Sequence, residues 1–166
     1  YKIMQDACYQ LAEYADSVGA RFAVETGPET SADLKKFLDS LGGTKGVGVN
    51  LDPANLVMVA GDDPVVAVHN LKDYIVHTHA KDGIMLDPDQ SPTEVYHAFA
   101  IGGVDALNAC AGFREVPLGE GQVDWNRYLS ALRECGFDGF LTIERECGDD
   151  PTADIVKATE FLKALI

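Results

Sequence analysis

Hydrophobic positions along this chain switch regularly between two periods. Between residues 2 and 18, Ile3, Ala7, Cys8, Leu11, Ala12 and Ala15 recur at spacings of three and four, which predicts an amphipathic helix ended by Gly19. RFAVE at 21–25 alternates instead, with Phe22 and Val24 on one side, and reads as a strand. Thr26-Gly27 turns into a helix over 32–41, capped by Thr30 or Ser31 and stopped by Gly42-Gly43. The next strand, 47–51, ends in Asp52-Pro53, and a short helical turn occupies 54–60. A helix running to about Leu71 has Asp63 as N-cap and Pro64 in its first turn. Strand 74–80, helix 125–135 with Asp124 as cap, strand 139–144 and helix 152–165 complete the series. Gly61-Asp62-Asp63-Pro64 returns as Gly148-Asp149-Asp150-Pro151 before the last helix, as shared capping chemistry and not as a duplicated unit. Residues 83–121 break the alternation and read as a long irregular segment with one small helix near 93–99; such loops often serve function or oligomerisation.

A helix, then strand and helix four times over, predicts parallel strands joined by crossover helices. A doubly wound sheet and a (β/α)8 barrel both satisfy this order, but no glycine-rich phosphate fingerprint follows the first strand. The polar strand ends favour an α/β chain of the (β/α)8 TIM-barrel type, with about four βα units in a single domain over 1–166.

Those strand ends carry Glu25, Asp52, His79 and Glu144. Because i and i+2 share a face, parity places Ala23 with Glu25, Gly48 and Asn50 with Asp52, His77 with His79, and Thr142 with Glu144. The opposite face holds Phe22, Val24, Val47, Val49, Leu51, Val76, Leu141 and Ile143, the set a helix layer would bury. In a barrel the carboxyl ends of parallel strands carry the active site. Three carboxylates and an imidazole repel one another less with a cation among them, and this O/N set suits Mn²⁺, Mg²⁺ or Co²⁺, with Zn²⁺ next. Each residue alone is equally an ordinary polar strand terminus; the matched parity of four points to one divalent ion, Mn²⁺ first.

Composition narrows the ligand. A net charge of −14 and a pI near 4.4 oppose nucleic acid and anionic membrane as partners. A small molecule fits better. Cys8, Cys110, Cys135 and Cys147 are scattered without C-x-x-C spacing, as expected of reduced thiols in a cytoplasmic protein. No apolar run approaches the ~18 residues of a membrane span, and no basic stretch followed by an apolar one reads as an export signal. The chain opens on Tyr1 directly in helical sequence, which reads as a cut product or excised part.

VETG (24–27), NLDPANL (50–56), HTHAKD (77–82), PLGEGQVDW (117–125) and LTIERE (141–146) follow in an order and spacing that resembles the sugar phosphate isomerase/epimerase superfamily of xylose isomerase-like barrels. The resemblance covers nearly the whole chain, as the second half of that fold from the helix before strand five onward. It implies that Glu25, Asp52, His79 and Glu144 hold one divalent metal, and that Glu25 and Glu144 double as the proton-transferring pair. Asn55 stands where such proteins often carry a histidine, and an amide binds a sugar hydroxyl better than a second metal. With the acidity, this opposes the related endonuclease IV branch and its three-zinc cluster.

Proton transfer through a metal-stabilised enediolate is therefore the expected chemistry, on a sugar or sugar phosphate. Keto-inositol (inosose) isomerisation or dehydration is an alternative on the same scaffold, and a non-catalytic half-barrel scaffold is a third. Lys81 meets either the substrate or a carboxylate, Asp82 or Glu144. Arg145 and Glu146 reach substrate or pair at the surface. His77 is a support for His79 or a packed core histidine, His69 is a surface residue, and His97 is a substrate or interface candidate. The Gly119-Glu120-Gly121 turn carries an acid that opposes a phosphate, so it feeds the Asp124 cap, with Trp125 packing outside the barrel. Two open sheet edges would call for a homo-oligomer or an N-terminal half-barrel.

Overall fold

The computed structural model describes residues 1–166, with the side chains of all except Val104 and Asn108. β1 (Phe22–Glu25), β2 (Val47–Leu51), β3 (Ile75–Ala80) and β6 (Leu141–Ile143) form one parallel sheet in the order β1-β2-β3-β6. The intervening helices α1 (Lys2–Ser17), α2 (Ser31–Asp39), α4 (Pro64–Leu71) and α6 (Trp125–Glu134), with α7 (Pro151–Lys163) after the last strand, pack on one face. Their shared core holds Leu34, Leu38, Val49, Leu51, Val68, Leu71, Tyr128 and Leu132. The Gly-Asp-Asp-Pro segments act alike: Asp63 accepts from Val65 N and Asp150 from Ala153 N, and Gly61 and Gly148 both take positive φ. At α2, Thr30 is the cap.

Of the residues expected on the helix-facing side of the sheet, all except Val76 join that core. Partners run Val49↔Ile75 and then Asn50↔His77, so Val76 is an extra residue bulged out of β3. A Cβ on Gly48 would strike Val76, which places Val76 on the inner face. The bulge restores the parity that brings His79 inward beside Asn50.

α1 also departs from expectation. Ala12 and Ala15 are buried and Cys8 packs on the core, whereas Ile3 and Leu11 lie in solvent with Tyr14 and Val18. Only small side chains face the sheet because the backbones approach closely: a Cβ on Gly46 would collide with the Ala12 carbonyl.

Residues 83–121 are more ordered than the sequence predicts. β4 (Asp82–Met85) pairs antiparallel with β5 (Phe113–Val116), and between them α5 runs Pro92–Asn108 with a break at Gly103 (φ 66°). Gly102-Gly103 interrupts the apolar period, which hid the helix from a pattern reading. Met58 and Val59, in the π-helical turn Leu56–Ala60 that follows α3 (Pro53–Asn55), form a second small core with Ala54 and Val95 beneath this insertion.

Candidate metal and substrate site

Each strand delivers its last polar residue to one place. Thr26 Oγ1 accepts from Asp52 N and donates to Asp52 O, both at 2.9 Å, which staples the ends of β1 and β2. Fully buried Asp52 caps α3 through Oδ1, accepting from Ala54 N at 2.7 Å and Asn55 N at 3.2 Å. Its Oδ2 is thereby turned toward His79.

His79 Nδ1 lies 3.2 Å from Glu144 Oε2, 3.4 Å from Asp52 Oδ2 and 3.5 Å from Glu25 Oε1. One ligand atom from each of the four residues falls within 4.8 Å of the others, a spacing that one cation can bridge. These bonds from Asp52, Glu144 and Glu25 raise the imidazole pKa to about 11. The His79 bond, aided by the Lys81 charge against the effect of burial, lowers the Glu144 carboxyl to about 2. Without a metal, a proton on His79 Nδ1 would sit among the three acids and offset part of their repulsion.

On the far side of the ring, Nε2 is 3.1 Å from Asn50 Nδ2, which also reaches Glu25 Oε2 at 3.3 Å. Among the described residues the buried Asn50 Oδ1 has no partner. A metal on Nδ1 would leave the proton on Nε2, and the amide turned over would present that orphaned oxygen to it. The donor set and its support thus fit a metal ion.

Lys81, 4% exposed, donates to Glu144 Oε2 at 3.0 Å and to Glu146, with Glu115 Oε2 at 3.6 Å. Burial disfavours its charge, but Asp52, Glu146, Glu144 and Glu115 outweigh that and hold its pKa above the ordinary value. Its partners therefore include Glu144 and not Asp82. Asp82 turns the other way, accepting from Gly83 N, Gly119 N, Val123 N and Trp125 Nε1. Trp125 is consequently buried, edge-on to Tyr128 and Phe161.

Arg145 does not face the site. Its guanidinium binds Glu115 Oε1 at 2.5 Å and Asp154 Oδ2 at 2.9 Å, beneath the loop after β6. Glu115 Oε1 also accepts from Glu146 N at 3.0 Å and Cys147 N at 3.4 Å, pinning the loop that carries Glu144. Asn55 lines the cavity, its amide donating to Glu25 Oε1 and Thr26 O. His77 bonds Thr142 Oγ1 at 2.8 Å and stands edge-on to His79. His69 lies on α4 beside Cys135, and His97 is exposed on α5. Its neighbour Tyr96 is the residue that enters the site, where it packs against Gly27.

A cavity of about 690 Å³ opens over this cluster, lined by Glu25, Asn55, Lys81, Arg114, Glu144 and Glu146 and by the apolar or aromatic Met58, Tyr96, Phe99 and Phe113. Thr26, Asn50, Glu115 and Tyr96 carried no sequence signal as site residues; only the i−2 parity of Asn50 to Asp52 hinted at one.

A sequence profile of xylose isomerase-like TIM barrels matches residues 1–165. The chain belongs to the xylose isomerase-like TIM barrel family. An inosose dehydratase from Lacticaseibacillus casei is 27% identical over 162 residues, covering 93% of this chain and 51% of that protein. An L-ribulose-5-phosphate 3-epimerase from Shigella boydii is 43% identical over 54 residues, 31% of this chain and 19% of that one. The crystal structure of a xylose isomerase domain protein from Planctomyces limnophilus superposes with a TM-score of 0.75 at 28% identity, over 99% of this chain and 51% of that one. This chain thus spans about half the length of the inosose dehydratase and of the Planctomyces limnophilus protein, and its four-stranded parallel sheet is a partial barrel. Among the described residues no helix is long and apolar enough to cross a membrane.

Proposed function

We propose that this chain supplies the divalent-metal site and both proton-transferring carboxylates of a sugar or polyol isomerase/epimerase. The observation that carries this reading is the convergence of Glu25, Asp52 and Glu144 on His79 Nδ1. Mn²⁺ suits the set best, with Mg²⁺, Co²⁺ and Zn²⁺ as alternatives. When bound, the ion would supply Lewis-acid polarisation of a substrate carbonyl and its neighbouring hydroxyl.

The protein's own residues divide the remaining work. Asp52 is sealed from solvent and spends one oxygen on backbone N–H groups, so it serves as ligand only. The Glu25 and Glu144 side chains are 43% and 31% exposed, and both line the cavity, so each can meet a hydrogen on a substrate carbon. Carboxylates on two faces of a planar intermediate support epimerisation; one alone supports isomerisation. Lys81 balances charge behind Glu144. Asn55 offers its amide oxygen to a substrate hydroxyl, and His77 braces His79 from the side.

Inosose dehydration is the second reading, favoured by the relative that matches along 93% of this chain. It begins with the same proton abstraction and ends in loss of water. Among the described residues β1 and β6 each have a sheet neighbour on one side only, so on this reading another segment or another chain completes the barrel.

Metal analysis of the full-length protein should find close to one ion per chain, and added Mn²⁺ should raise its Tm. Solvent deuterium should enter a ketose or inosose, and Glu144→Gln should abolish that exchange with the fold intact. A product with one water fewer selects the dehydratase reading. Unchanged exchange in Glu144→Gln removes the assignment, and absence of any metal uptake would leave the scaffold reading.

A further inference from the structure

Glu144 sits just past the end of the sheet. β6 is only three residues long, and after Ile143 pairs with Ala80 the ladder closes with Glu144 N donating to Ala80 O at 3.2 Å. The segment 144–147 is irregular and is gripped from the insertion instead. One oxygen of Glu115, on β5, accepts from Arg145 Nη1 at 2.5 Å, Glu146 N at 3.0 Å and Cys147 N at 3.4 Å, so three consecutive residues share it. The other oxygen lies 3.6 Å from Lys81 Nζ, which donates in turn to Glu144 Oε2 at 3.0 Å.

Glu115 therefore reaches Glu144 along two routes, through the main chain that follows it and through the ammonium on its carboxylate. Its own side chain is 5% exposed with both oxygens engaged, so although it borders the cavity it acts through its neighbours. The same Glu144 Oε2 stands 3.2 Å from His79 Nδ1, and any displacement of it passes directly to the ligand set. Proton transfer tolerates little misplacement, since ~1 Å costs on the order of a hundredfold in rate. The structure also supplies a comparison. Asp154, on α7, accepts from Nε of the same guanidinium at 2.9 Å, so its removal takes a counter-charge from Arg145 and leaves the bonds from Glu115 to the loop and to Lys81 in place.

We propose that Glu115 is a positioning residue for Glu144: by holding residues 145–147 and, through Lys81, the Glu144 carboxylate itself, it makes the aim of that proton-transferring acid depend on the insertion and not on the parallel sheet alone. This rests on the metal-dependent isomerase reading above. Every group in the relay belongs to this chain, on β3, β5, the loop after β6 and α7, so its connections do not depend on what completes the barrel.

The test compares full-length wild type, Glu115→Gln and Asp154→Asn. Amide hydrogen exchange over 144–148 is read in metal-free protein, Mn²⁺ Kd by calorimetry, and kcat and KM by deuterium wash-in over a panel of ketoses, ketose phosphates and inososes. In Glu115→Gln the Glu146 and Cys147 amides should exchange about tenfold faster, because a charged acceptor has become a neutral one. Mn²⁺ Kd should weaken about tenfold, and kcat should fall by on the order of a hundredfold with KM within about threefold. Asp154→Asn should lower Tm as well but keep Mn²⁺ Kd and kcat within about threefold of wild type. If Glu115→Gln does not fold, Glu115→Asp, which keeps the charge and shortens the reach, carries the same comparison. Unchanged exchange at Glu146 and Cys147 overturns the proposal. So do losses of Tm, Mn²⁺ affinity and kcat that run in step in the two variants, since both would then act through stability alone while the wild type stands as an isomerase. A wild type that takes up no Mn²⁺ and exchanges with no compound removes the isomerase reading and the positioning role with it.

Discussion

Asp82→Asn is the sharpest probe of how the insertion is held. Asp82 is 1% exposed, and its carboxylate accepts four N–H groups, two on each oxygen. Gly83 N and Val123 N approach Oδ1 at 2.9 and 3.2 Å, and Gly119 N and Trp125 Nε1 approach Oδ2 at 3.0 and 2.9 Å. An asparagine has one oxygen only, so whichever way the amide turns, its NH₂ meets two donors. Two charge-assisted bonds worth roughly 1.5–3 kcal/mol each are lost, a total of about 3–6 kcal/mol. At roughly 2–4 °C per kcal/mol for a protein of this size, Tm should fall by about 10 °C. Thermal denaturation followed by circular dichroism measures the loss, and fluorescence of the single tryptophan reports whether the indole has left its carboxylate. Gly121→Ala should act similarly, because its Cβ would collide with the same carboxylate. A control at exposed, lysine-paired Asp6, as Asp6→Asn, should stay within about 0.5 kcal/mol. A loss at Asp82 no larger than that of the control would refute the reasoning.

Three further outcomes are expected. In metal-free protein the raised His79 pKa contributes stability that is complete below about 6.5 and is lost as pH rises toward 11; metal must displace that proton, so calorimetry at pH 7.5 in buffers of different ionisation enthalpy should show about one proton released per ion bound. Glu115→Gln deprives buried Arg145 and Lys81 of a counter-charge, and should cost about 3 kcal/mol in denaturant unfolding and weaken metal binding through the Glu144 loop. Thr26→Val removes both bonds to the Asp52 backbone; a loss of about 2 kcal/mol and a weaker metal Kd are expected, and an unchanged Kd would show that Asp52 holds its place without the staple.

What the chain determined by itself is what depends on near neighbours. Period and parity are local, so the order of the parallel strands and their crossover helices, the two Gly-Asp-Asp-Pro caps and the convergence of Glu25, Asp52, His79 and Glu144 on one side of the sheet are legible in the sequence. The long insertion was not, because two adjacent glycines broke the period of α5 and its hairpin pairs residues some 30 apart. Neither was the α1 surface, where close backbone approach at Gly46 leaves room only for Cys8, Ala12 and Ala15 to face inward. The tertiary structure decided which charges meet. Lys81 goes to Glu144 and Glu146 while the adjacent Asp82 faces Trp125, and Arg145 turns away to Glu115 and Asp154. It likewise brought in Tyr96 where the neighbouring His97 had been a candidate. Buried ions and cavity walls take partners from distant segments, and a spacing rule within one segment carries no information about which segment will arrive.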